Sequence, residues 1–171
     1  MNRRYRRDFF RELIQKINAQ VRDFILTTDV MIGFPGESYD QFENTVQLLS
    51  ETQPYKLHVF PYSRREGTRA AHFSEFIDGK EMNRRREILP SREEEWRRNI
   101  QVPYLGKKLN VLTEEGNCEE GWVTGRTQNY VKVRFPGKRI PGLNYQIEIT
   151  DIDGVDLIGW VADTGIALPR K

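Results

Sequence analysis

Hydrophobic positions in the first hundred residues switch between helical and extended spacing. Between residues 5 and 19, Phe9, Leu13, Ile14 and Ile17 fall on one helical face with Phe10 beside them, and Arg6, Arg7, Arg11 and Lys16 lie mostly elsewhere. A turn at Arg22-Asp23 leads to a first strand, Phe24 to Phe34, whose end is nearly continuous in apolar side chains (Val30, Met31, Ile32), as in strands buried on both faces. Ser38 and Gln41 have capping-box spacing and predict a helix over 39–51 that aligns Phe42, Val46 and Leu49. A second strand, Lys56 to Tyr62, is apolar on both parities, and Ser63 to Ala71 is a polar loop after it. Helices are predicted over 79–89 and 91–100, with Pro90 breaking or kinking the run, Ser91 and Glu94 as a fresh capping box and Arg84-Arg85-Arg86 facing solvent.

The order helix, strand, helix, strand, helix with short connections is a βαβ unit, so its strands are expected to be parallel. Two strands neither close a barrel nor form a protected parallel sheet, and this portion reads as part of a larger α/β domain.

After Pro103 the pattern changes. Leu105–Thr113, Gly121–Arg126, Tyr130–Phe135, Gln146–Asp151 and Leu157–Val161 are short extended runs between Gly, Asn and Asp turns, which predicts a small all-β barrel. The boundary falls near residue 102, giving units 1–101 and 102–171. The chain is thus read as α/β followed by all-β. Side chains alternate along a strand, so Val131, Val133 and Phe135 share one face, while Tyr130, Lys132 and Arg134 share the other. A hairpin through Thr127-Gln128-Asn129 brings Trp122 and Arg126 to that second face, with Lys138 and Arg139 just beyond. Cations interleaved with aromatics suit phosphates and unstacked bases. The other reading is that Trp122 packs under a loop and the cations serve solubility. The acidic pairs Glu114-Glu115 and Glu119-Glu120 would repel a polyanion and are expected to lie away from that face.

Charge adds a local rather than a global signal. The 171 residues carry a net +2 with 30% charged side chains. Residues 1–24 hold seven basic and three acidic groups, 25–63 hold one and five, 64–100 hold ten and eight, and 101–171 hold nine of each. No apolar stretch is long enough to span a bilayer and the N-terminal segment lacks a signal peptide's apolar region, so a cytoplasmic protein with no membrane partner is expected. Cys118 is the only cysteine, which excludes an internal disulfide and leaves no cysteine cluster, and His58 and His72 stand far apart. No metal ligands and no catalytic residues are therefore assigned. Flanking carboxylates disfavour a Cys118 thiolate, and it is read as incidental.

The junction at Ile32-Gly33-Phe34-Pro35-Gly36-Glu37 carries the other chemical signal. In α/β sheets, ligands bind where strands end and helices begin, and Gly33 lets a ligand approach the backbone. The same residues also fit an ordinary strand–turn–helix, with Glu37 supporting the turn or the helix start.

Asp29-Val30-Met31-Ile32-Gly33-Phe34-Pro35-Gly36-Glu37, followed by Leu57-His58-Val59-Phe60-Pro61-Tyr62-Ser63-Arg64-Arg65-Glu66-Gly67-Thr68, resembles the radical-SAM methylthiotransferases. The likeness extends through a linker helix into a module similar to a TRAM domain and covers nearly the whole chain. The His-Val-Phe-Pro-Tyr-Ser form is most similar to the branch that methylthiolates N6-threonylcarbamoyladenosine in tRNA. The resemblance implies the closing part of a radical-SAM partial (β/α) barrel over 1–101 and a five-stranded OB-like TRAM barrel over 102–171.

It further implies a parent enzyme that uses S-adenosylmethionine and two 4Fe-4S clusters to place a methylthio group on C2 of the modified adenine at tRNA position 37. The clusters of such enzymes are held by cysteines upstream, in the N-terminal methylthiotransferase domain and the first part of the barrel. With Cys118 alone this chain departs from that pattern, so as an isolated C-terminal fragment it is expected to be inactive and to need the missing N-terminal domains of a monomeric parent. By resemblance, Ile32, Gly33, Phe34, Pro35, Val59, Phe60 and Tyr62 border the cofactor's adenine, and Ser63, Arg64 and Thr68 the substrate entrance. The TRAM module is expected to bind the tRNA anticodon stem-loop through Trp122, Arg126, Tyr130, Lys132, Arg134, Lys138 and Arg139. The rival readings are the isopentenyladenosine branch, the branch that modifies a ribosomal-protein aspartate, and a non-catalytic RNA-binding module.

Overall fold

The computed structural model describes residues 4–115, 119–138 and 140–162. The chain divides into two compact units, Met1–Arg97 and Arg98–Lys171. The first contains α1 (Arg7–Gln20), β1 (Thr27–Ile32), α2 (Tyr39–Thr52), β2 (Lys56–Pro61) and most of α3 (Gly79–Gln101), within which the division falls.

β1 and β2 pair in parallel, from Thr27 opposite Lys56 to Ile32 opposite Pro61. β1 starts later than the predicted run and ends before it, the end being set by Gly33, whose φ of +75° turns the backbone out of the extended region directly after Ile32. Both strands alternate instead of being buried on both faces. Val30, Ile32 and Leu57, with Val59 against them, pack on Phe42, Val46 and Leu49 of α2 and on Leu89 and Trp96 of α3. Asp29, His58 and Phe60, on the other parity, are exposed. Each fully buried apolar side chain contributes roughly 1.5–3 kcal/mol, which holds the two helices to one side of the sheet.

α2 begins as its sequence predicts: the Ser38 hydroxyl accepts the Gln41 amide at 3.2 Å and the Gln41 side chain accepts the Ser38 amide at 3.0 Å. α1 departs from its predicted stripe. Phe9 and Leu13 are exposed, while Ile14 is buried and Arg7 and Arg11 turn to Glu51 of α2. Pro90 does not divide α3, so the Ser91 cap does not form. Pro90 is exposed, one residue past the fully buried Leu89, so the hydrogen bond it forfeits lies on the solvent face while the packed face runs on.

The second unit is a closed barrel of β3 (Lys108–Thr113), β4 (Trp122–Arg126), β5 (Lys132–Pro136), β6 (Asn144–Asp153) and β7 (Asp156–Val161), in the order β3-β4-β5-β7-β6. β5 and β7 are parallel and the other pairs antiparallel, with a bulge between Ile149 and Asp151 in β6. Order and pairing are those of an OB-like barrel. Val111, Val123, Val131, Val133, Phe135, Ile147, Ile149 and Leu157 fill the interior. Gly125 and Gly159 occur where a Cβ would strike the carbonyl oxygens of Leu112 and Glu148, so the neighbouring strands approach too closely for any side chain there.

Candidate functional sites

In the first unit the end of β1 is held by one carboxylate. Glu37 Oε2 accepts the Gly33 amide at 2.8 Å and Arg85 Nη1 at 2.6 Å. Arg85, in α3, is only 2% exposed; its Nε donates to Glu81 at 2.9 Å and its guanidinium lies 4.7 Å from the Phe42 ring centroid. The hydrogen bond from Arg85 holds the Glu81 carboxyl below its ordinary pKa. Arg85 is therefore no solvent-facing residue. The run Arg84-Arg85-Arg86 concealed this, because the acid that draws the middle arginine inward is 48 positions away in sequence. Glu37 supports the turn, as its place after Pro35-Gly36 suggested.

Beyond this turn lies a cleft of about 700 Å³ lined by Met31, Phe34, Tyr62, Phe73 and the Ser63–Ala70 loop. Phe34 stands edge-on to Tyr62 and to Phe73, with ring centroids 5.4 Å and 6.3 Å away. A second cleft of about 650 Å³ shares Met31 and Phe34 and extends past Pro35 to Tyr5, Phe10 and Asp29. The residues assigned to a cofactor's adenine are thus divided. Phe34 and Tyr62 line the first cleft and Pro35 the second, whereas Ile32, 1% exposed, and Val59 pack into the helix-side core. Phe60 is opposite Met31 in the register and is exposed, and Gly33 offers an amide already bonded to Glu37.

The apolar walls formed by Phe34 and Tyr62 suit an adenine ring. The donor set for iron–sulfur clusters does not fit: Cys118 lies outside the described residues, and no group of three metal-ligating side chains occurs among the described ones.

On the barrel, β4 and β5 form the hairpin read from the sequence, and Trp122, Arg126, Lys132 and Arg134 share its outer parity. Arg134 lies 5.7 Å from the Trp122 ring centroid. Tyr130 is not on the strand. It occupies the turn at φ +67°, 75% exposed, with its amide donating to Thr127 O at 3.0 Å. Lys138 is exposed, and Arg139 lies outside the described residues.

Carboxylates also reach this face, which the sequence reading did not anticipate. Arg126 pairs with Glu114 at 3.0 Å, Lys132 with Asp156 at 2.9 Å, and Arg134 with both Asp156 and Asp153. Glu114 follows β3 directly, and its amide donates to Thr124 O, which fixes it beside β4. It does not lie away from the cations.

The chain is thus an α/β unit with clefts at its strand ends, followed by an OB-like barrel. No family model matches the chain. Its sequence is 35% identical over 93% of its length to a probable threonylcarbamoyladenosine tRNA methylthiotransferase of Methanocaldococcus jannaschii. It is 34% identical over 80% to a threonylcarbamoyladenosine tRNA methylthiotransferase of Bacillus subtilis, and 36% identical over 87% to a tRNA-2-methylthio-N(6)-dimethylallyladenosine synthase of Thermus thermophilus. Over most of its length the chain is thus a sequence relative of tRNA methylthiotransferases, the family that its motifs resemble. It spans about a third of the length of these curated relatives, 35%, 31% and 32% respectively.

Proposed function

We propose that this chain is the C-terminal part of a cytoplasmic tRNA methylthiotransferase acting on N6-threonylcarbamoyladenosine: the closing section of the catalytic barrel over 1–101, and a TRAM module that grips the anticodon stem-loop over 102–171. The observation that carries the reading is the β4–β5 hairpin. In an OB-like barrel ordered as here, these are the second and third strands, the face such folds use for oligonucleotides. Trp122, Tyr130, Arg126, Lys132 and Arg134 supply rings and cations at that place. The family relationship supports tRNA as the partner.

S-adenosylmethionine, when bound, supplies the radical-generating chemistry of the parent. Phe34 and Tyr62 would flank its adenine, and the Glu37–Gly33 bond would keep the strand end in place. The clusters need cysteines from elsewhere in the polypeptide, and without them the fragment has no activity of its own.

A second reading is favoured by the similarity to the dimethylallyladenosine synthase, which equals that to the threonylcarbamoyladenosine enzymes. Nucleoside mass spectrometry of tRNA from cells with the parent gene deleted separates the two. Loss of the 2-methylthio group from N6-threonylcarbamoyladenosine supports the first assignment, and its loss from the dimethylallyl nucleoside instead supports the second.

A further inference from the structure

The turn between β4 and β5 is built against the backbone preference of one of its residues. Thr127 O accepts the Tyr130 amide at 3.0 Å, and the Thr127 amide donates to Val131 O at 3.0 Å. Thr127 thus faces two residues, and Tyr130 is the extra one of a bulge. Its φ of +67° lies in the left-handed region, where hairpins of this kind ordinarily place glycine. Among the described non-glycine residues only Asp23 and Gln53 share a positive φ, and Tyr130 is the one aromatic. Its ring gains little from burial, being 75% exposed. Glycine would meet the demands of this turn better, so the fold alone does not explain a tyrosine here.

A polar network fixes the residues on both sides of it. Asn129 Nδ2 donates to the Tyr104 hydroxyl at 2.8 Å, and Asn129 Oδ1 accepts the Thr127 hydroxyl at 2.6 Å. The Thr127 oxygen in turn accepts the Val131 amide at 2.9 Å. Thr127 and Tyr104 are buried, and Tyr104 ends the 3₁₀ turn Val102–Tyr104 that precedes β3. Arg126 Nη1 donates to Tyr130 O at 3.2 Å. An outlying backbone conformation persists only where its surroundings over-determine it, and such conformations gather at functional sites.

We propose that this turn presents a single ring: Tyr130 stacks on an unpaired base of the bound RNA, and Asn129 and Tyr104 are positioning residues that hold it outward. The inference rests on the RNA reading of the barrel and deepens it, adding two residues that no local sequence signal singled out. Three features select an unpaired base as the occupant. A flat exposed ring stacks on any base, because every base has a π-face. Arg126 and Lys132, paired in register at the strand ends that flank the turn, supply cations for the adjoining phosphates. The bonded turn also limits the ordering that binding would otherwise require.

The test is binding of the 171-residue chain to an unmodified anticodon stem-loop and to a blunt duplex of the same stem, by fluorescence anisotropy, with thermal melting of each variant. Y130G is expected to raise the melting temperature, because glycine adopts this φ without strain. It is also expected to lower stem-loop affinity about tenfold, with duplex affinity and the salt slope unchanged, because a stacking ring is lost and no phosphate contact is. Y104F removes only the hydroxyl that Asn129 reaches. It is expected to weaken stem-loop binding several-fold in the parent and not at all in the Y130G background, a non-additivity that general loosening of the barrel does not produce.

Unchanged stem-loop affinity in Y130G, or a Y130G protein that melts below the parent, would overturn the proposal. So would an equal loss on the duplex, which would make Tyr130 a backbone contact. Losses in Y104F that add to those of Y130G would overturn the positioning role. Binding that survives Y130G but is lost in R126A/K132A/R134A would overturn the ring contact and leave the barrel reading standing. A chain that binds no RNA at low salt would overturn both.

Discussion

Arg85 joins three parts of the first unit through one guanidinium: the turn after β1 by way of Glu37, the start of α3 by way of Glu81, and the α2 ring of Phe42. Removing one partner of a buried pair strands the other charge, so R85L is expected to destabilise the unit by about 3 kcal/mol in urea unfolding. R85K keeps the charge without the fork and should cost less. An R85L protein as stable as the parent would show that the network adds nothing. The pH dependence has a defined sign. Because the folded Glu81 carboxyl titrates below its ordinary value, its contribution is present above that value and is lost as pH falls through the lowered one. Melting temperature should therefore fall less steeply with acid in E81Q than in the parent, and parallel curves would contradict the assignment. At this scale the sequence was a partial guide. Glu37 was legible from its place after a Pro-Gly turn and Gly33 from the end of an apolar run. Arg85 was hidden, because burial of a charge depends on a distant partner that no local pattern encodes.

The strand pair and the hairpin were legible as elements because alternation along a strand survives without tertiary information. The inward set Val131, Val133 and Phe135 is buried as read. Two elements were misread for reasons of context. In sequence Pro90 reads as a break or kink, yet on the exposed side of α3 its missing donor costs little against the packing of Leu89 and Trp96 on the other side. On α1 a four-residue spacing selected Phe9 and Leu13, while the acid Glu51 on α2 drew the Arg7 and Arg11 side to the interface.

The carboxylates on the β4–β5 face belong to the same lesson, for they arrive from other parts of the barrel. Glu114 comes from the segment after β3 and Asp153 from the end of β6. Asp153 is exposed and Glu114 half-exposed, and pairs with such access to water hold by only about 0.2–1 kcal/mol, so phosphates can exchange for them. Neutralising them frees Arg126 and Arg134. E114Q and D153N are each expected to tighten RNA binding up to about fivefold in a fluorescence titration. Unchanged or weaker binding would mean that these arginines do not meet the RNA. Asp156 differs: its carboxylate is nearly buried and holds both Lys132 and Arg134, so it orders the cations rather than competing for them.

For the molecule as a whole, two units follow one another, each with its own core: a parallel strand pair under two helices, and a closed barrel. The outer face of the strand pair exposes His58 and Phe60, and the chain spans about a third of its relatives' length. Both facts agree with the proposed place of the chain within a longer enzyme. The central claim is that recognition of tRNA is built into this part of the polypeptide. Its most direct test is binding of the chain to an unmodified anticodon stem-loop against an unrelated hairpin, across a salt series. The account predicts preference for the stem-loop and an affinity that falls steeply with salt, with a shallower slope once Arg126, Lys132 and Arg134 are replaced by alanine, because fewer counterions are released. Equal binding of both hairpins, or none at low salt, would contradict it.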